Sequence, residues 1–172
     1  GHDALESNTA GNNTGLGYKA LSLNTTGSEN TAVGKEALYT NNAANNTAVG
    51  VTAMYLNTTG TNNTAVGQSS LKKNTTASGN TAIGRVALFE NTTGSNNTAV
   101  GYAALQLNVT GLSNVAVGQG SLQNSLSNNN TAVGYSAAYN LTTGNDNVCV
   151  GRSAGFTMTT HNENVFIGKN AG

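Results

Sequence analysis

Groups able to do acid–base, nucleophilic or metal chemistry are few in this chain and far apart. His2 and His161 stand near opposite ends of the 172 residues, with Asp3, Glu6, Glu29, Glu36, Glu90, Asp146 and Glu163 scattered along the length. Catalysis needs such groups gathered around one reacting centre. The tightest set, His2 with Asp3 and Glu6, reads as a solvated end. Cys149 is the only cysteine, so it has no disulfide partner within the chain, and no metal-ligand spacing surrounds it. It reads as a small buried thiol. No Gly-Gly-x-Gly-x-Asp calcium repeat occurs, and a phosphate-binding glycine loop would need a strand-to-helix setting. The pattern argues against an enzyme and implies no cofactor and no metal.

What the chain has in place of chemistry is periodicity. Seven Lys or Arg balance seven Asp or Glu, charged residues are 8%, and Pro and Trp are absent. The usual charged share is about a quarter. No basic stripe marks a nucleic-acid surface, and no apolar run approaches a membrane span. Disorder tends to go with high net charge and few β-branched residues; here the net charge is zero and Thr and Val recur on a schedule. The string Asn-Thr-Ala-Val-Gly or a close variant places its glycine at Gly17, Gly34, Gly50, Gly67, Gly84, Gly101, Gly118, Gly134, Gly151 and Gly168, always 16 or 17 residues apart. Helical repeats need about 33 residues or more. A shorter unit rich in Asn, Thr and Gly predicts an all-β repeat β-solenoid of about ten coils over residues 1–172, each coil two short strands and two turns. Coils about 4.8 Å apart would make a rod on the order of 50 Å long.

Stacking turns equivalent positions into columns. The residue before the glycine is Val or Ile, from Val33 to Ile167, and two residues earlier stands Thr or Val, from Thr31 to Val165. Both columns are expected to point inward. Between them run Ala32, Ala48, Ala65, Ala82, Ala99, Ala116 and Ala132, then Cys149 and Phe166. By alternation this column points outward, and its confinement to small residues suggests an oligomer interface where alanines of neighbouring chains meet. A second apolar strand follows the glycine, with Ala37 and Leu38 as its type residues. The Asn opening each anchor is expected to form an amide ladder, and the glycine to take a positive φ at a corner.

Five residues beyond the glycine the column varies. Tyr39, Tyr55, Lys72, Phe89, Tyr139 and Phe156 mark it as an outer surface, a candidate for docking a cell-surface glycan or a protein receptor, although rings that cover loops are the simpler reading. Asn-x-Thr acceptors, as at Asn24, Asn45, Asn57, Asn62, Asn91 and Asn108, follow from composition as readily as from glycosylation. In the last coils leucine gives way to Ala138, Gly155 and Gly172 while Cys149 and Phe166 enlarge the facing column. That change reads as a transition towards another domain, and a chain that opens mid-repeat reads as a segment of a longer protein.

The string Asn-Thr-Ala-Val-Gly-x-x-Ala resembles the head repeat of YadA-like trimeric autotransporter adhesins, which carry a shorter Asn-Ser-Val-Ala-Ile-Gly repeat and fold as a left-handed β-roll. With Asn-Thr-Thr-Gly between anchors, it is also similar to repeats of phage tail fibres and related bacterial fibre proteins, some of which end in a self-cleaving chaperone domain. The resemblance spans essentially the whole chain. It implies a parallel homotrimer, without membrane insertion or nucleic acid, serving as a structural or attachment segment of an extracellular fibre on a virion or cell surface. The coil is longer than the adhesin head's, so one turn must differ. Two alternatives remain open at this stage, an ice-binding solenoid and a filament protein that stacks end to end. Against ice binding stands the inward Thr column.

Overall fold

The computed structural model describes residues 1–172 and contains ten three-residue strands, β1 (Thr14–Leu16), β2 (Thr31–Val33), β3 (Thr47–Val49), β4 (Thr64–Val66), β5 (Thr81–Ile83), β6 (Thr98–Val100), β7 (Val115–Val117), β8 (Thr131–Val133), β9 (Val148–Val150) and β10 (Val165–Ile167). They form one parallel sheet in chain order. Equivalent residues pair throughout: Thr47 lies against Thr64, Ala48 against Ala65 and Val49 against Val66. The all-β solenoid expected from the period is the fold.

The other side of each coil differs from expectation. No second strand follows the glycine. The backbone there runs through turns in which positions two and four after the glycine take left-handed conformations, as at Glu36 (φ 55°) and Leu38 (φ 50°), or Val86 (φ 54°) and Leu88 (φ 50°). A non-glycine residue in this region costs on the order of 1–2 kcal/mol, and a β-branched one such as Val86 more. Hydrogen bonding between coils offsets the strain. Glu36 N–H donates back to Tyr18 C=O at 2.8 Å, while Leu38 N–H donates forward to Ala53 C=O at 3.0 Å. Alternating hand turns alternate amides up and down the rod. Of 105 backbone hydrogen bonds only 18 lie within strands, so the turns are laddered as thoroughly as the sheet.

At the corner the glycine is required by its neighbour. Gly67 has φ +133°, and a Cβ there would lie 2.6 Å from the carbonyl carbon and oxygen of Gly84 one coil on. One column must stay glycine because the next coil occupies the space.

Two columns of buried asparagine hold the remaining corners. In the anchor column, Asn80 N–H donates to Asn63 Oδ1 at 2.9 Å, and Asn80 Nδ2 donates to Gly94 C=O in the same corner of the next coil at 2.9 Å. In the second column, Asn74 Nδ2 donates to Asn57 Oδ1 at 2.8 Å and to Ala77 C=O at 3.0 Å. The expected amide ladder is present, and it is doubled. The second ladder ends at Asn108, whose Oδ1 is buried without a partner. The following coils put Ser125, Leu141 and Met158 in its place, all buried.

The core is a narrow strip of 25 residues in which the strand alanines face the Ala-Leu pair of the turn. Leu21, Leu38, Met54, Leu71, Leu88, Leu105 and Leu122 are fully buried, each contributing about 2 kcal/mol of burial.

Candidate interaction face

The phase of the strand alternation is opposite to the one expected. Ala32, Ala48, Ala65, Ala82, Ala99, Ala116, Ala132 and Cys149 are all fully buried within a single chain, and Phe166 is partly buried against the same core. These residues therefore do not form an outward interface. Thr and Val, expected inside, point outward: each strand from β2 to β9 buries its middle residue and leaves the flanking two partly or fully exposed.

Volume explains the reversal. A strip already filled by one leucine per turn accepts only a small residue opposite, since interiors pack to near-crystalline density. The last coils show the rule operating. Where leucine becomes Gly155, a Cβ would meet Cys149 Sγ at 2.6 Å and Met158 Cε at 2.9 Å. Where it becomes Gly172, a Cβ would meet the Phe166 ring at 2.7 Å. Large and small trade places across one shared interior. The same exchange is visible in the sequence, where the lost leucines coincide with the enlarged Cys149 and Phe166.

The outward face is thus a ten-strand sheet whose outward residues are Thr or Val at the first strand position and Val, Ile or, in β1, Leu at the third, about 4.8 Å per strand. Its Val/Ile column runs from Val33 to Ile167, and Ile83 in mid-rod is 40% exposed. A regular β-branched surface is stiff at χ1 and flat. It can bury apolar area against another flat surface, or present a repeating Thr hydroxyl array.

The aromatic column lies on the turn side. Tyr39 and Tyr55 stack with centroids 5.1 Å apart and 7° between planes, and Tyr139 stacks on Phe156 at 5.6 Å. Lys72 Nζ lies 5.8 Å and Lys73 Nζ 5.5 Å from the Phe89 centroid, and Lys73 pairs with Glu90 at 2.7 Å. The structure brings Tyr39 to Tyr55, Lys72 to Phe89 and Tyr139 to Phe156, in three separate groups along one column. The rings pack on one another along the axis, and of Tyr39, Tyr55, Phe89, Tyr139 and Phe156 only Phe156 is exposed. A shallow hollow of about 350 Å³ beside Phe156 is lined by Ser153, Thr157, Asn170 and Gly172 as well.

Cys149 sits in the core, and its burial raises the thiol pKa to about 11. Of the Asn-x-Thr acceptors, Asn24, Asn57, Asn91 and Asn108 are fully buried, whereas Asn45 and Asn62 are exposed. No three His, Cys, Asp or Glu side chains gather where they could hold a metal ion, and no helix is long and apolar enough to cross a membrane. No protein-family model, curated protein or solved structure matches the chain.

Proposed function

We propose that the chain is a structural and attachment segment of an extracellular fibre, in which three copies cover one another's Thr/Val faces. The observation that carries this reading is the unbroken outward column of Val and Ile over the nine stacked strands β2 to β10. A contiguous, partly exposed apolar column along the rod favours a partner, and the thin core of a single coil gains buried area from one. Repetition supplies length and stiffness at little cost in sequence complexity. Attachment to a glycan or protein receptor falls to the turn side, with the Tyr39–Tyr55 stack and the Lys72–Phe89 contact as the candidate surface.

A second reading has an observation of its own. The Thr column, Thr31, Thr47, Thr64, Thr81 and Thr98, faces outward at one strand spacing, with Thr131 beyond Val115, which removes the argument against ice binding. An ice-binding protein would use this face free in water, and a fibre would use it against its own copies. Freezing-point depression and mass, measured on one sample series, separate the two. The fibre reading expects association that grows with concentration and no thermal hysteresis. A chain that stays single and holds ice below its melting point would overturn it.

A further inference from the structure

The Thr/Val face has two edges, and they carry opposite charge. The edge that enters each strand is the residue before the anchor asparagine. It is Glu29 at β2, Asp146 at β9 and Glu163 at β10, and it is uncharged in every other turn. The edge that leaves is the residue after the glycine. It is Lys35, Arg152 and Lys169 in those same three turns. Each acid thus has a cation six residues on, in the turn at the far end of the same three-residue strand.

All six side chains are exposed and none forms an ion pair within the chain, where the only ion pairs are His2–Asp3 and Lys73–Glu90; Arg152 lies 5.9 Å from the Tyr135 ring. Asp146 and Glu163 lie on successive turns, as do Arg152 and Lys169, so like charges repeat about 4.8 Å apart along each edge. The remaining cation of the leaving edge, Arg85, has Gly79 opposite it and lies 5.8 Å from the Tyr102 ring.

Resting on the reading of this face as a contact between copies, we infer that its two edges recognise each other across chains and fix the copies parallel and unstaggered. Rotation about an axis along the rod lays the entering edge of one chain beside the leaving edge of the next. At equal height Glu29 then meets Lys35, Asp146 meets Arg152 and Glu163 meets Lys169 of the neighbouring copy. A two-fold axis across the rod does the opposite. Entering edge meets entering edge, with Glu29 of the second strand against Asp146 of the ninth, and Lys35 against Arg152. A stagger of one turn keeps a single pair, either Asp146 with Lys169 or Glu163 with Arg152. Charge on the rim of an interface sets orientation and partner choice more than raw affinity, and that is the role these residues take.

The test uses three variants and one spin label. Glu29→Lys with Asp146→Lys and Glu163→Lys makes both edges basic; Lys35→Glu with Arg152→Glu and Lys169→Glu makes both acidic; the third variant carries all six. Circular dichroism confirms that each folds, and sedimentation reads association. In low salt each single-edge reversal is expected to weaken self-association at least about tenfold, and the six-fold exchange to return to within about threefold of the parent. Labels on Ser7→Cys should lie close together in the assembled parent. Single-edge reversals that associate like the parent, an exchange that does not recover, or labels separated by the length of the rod would each overturn the inference while leaving the face as a contact. A parent chain that remains single at every concentration would overturn both.

Discussion

The side-chain amide of Asn91 donates to Asn74 Oδ1 at 3.0 Å, one full turn of the chain away. Both residues are fully buried. Asn74 in turn donates to Asn57 and to the Ala77 carbonyl, so a single amide in mid-ladder satisfies two neighbouring coils and its own corner. Cooperative chains of this kind are costly to interrupt in a low-dielectric interior.

Asn74→Ala is therefore expected to destabilise the chain by about 3 kcal/mol, because Asn57 Oδ1, Asn91 Nδ2 and the Ala77 carbonyl all lose a partner. Urea titration followed by circular dichroism reads this directly. At Asn108 the ladder has already ended with an unpartnered oxygen, and Asn108→Ala should cost less than Asn74→Ala. Equal losses at the two positions would contradict the ladder account.

Neighbouring residues on one strand should separate folding from association. Ala82 is fully buried and Ile83 is 40% exposed. A charged residue in place of Ala82 buries an unpaired charge, so Ala82→Glu is expected to cost more than about 4 kcal/mol and to unfold the chain. Ile83→Lys should change the stability of a single chain by less than about 1 kcal/mol while lowering self-association. Thermal melts at low concentration, paired with light scattering at high concentration, distinguish the two effects.

Cys149 should make stability fall in alkali. Its folded pKa of about 11 lies above the unfolded value of 9.0, so the folded chain binds the proton more tightly between those values. The contribution is complete below pH 9 and is lost as pH rises towards 11, by about 2–3 kcal/mol in all. Subtracting the melts of Cys149→Ala isolates it. In the native state at pH 8 the thiol should also resist a maleimide that labels it promptly in urea.

Much of the architecture was readable from spacing. The anchor glycines gave the period, and the period with its Asn-rich turns gave a solenoid. The glycine column and the asparagine ladder followed from asking what stacked copies of one residue can do. Two features of the coil are not legible in its sequence, for local reasons. Thr-Ala-Val alternates equally well in either phase, and the general preference of β-branched apolar residues for the interior points to the wrong one. Only the trade between Gly155 and Cys149, and between Gly172 and Phe166, discloses which column faces the leucines. The second strand failed because Leu38 and its counterparts adopt left-handed φ, which leucine does not favour alone. Hydrogen bonds to the coils above and below impose that conformation, and a propensity read along one segment cannot contain them. The interaction site shifted with the phase: the alanines became core, and Thr31 with Val33 became surface.

The central claim is that the Thr/Val face meets the same face of other copies. Sedimentation equilibrium over a wide concentration range tests it most directly. The account predicts a mass approaching three times 17.3 kDa, falling when Ile83 becomes Lys. A mass of one chain at every concentration, unaltered by that substitution, would contradict it.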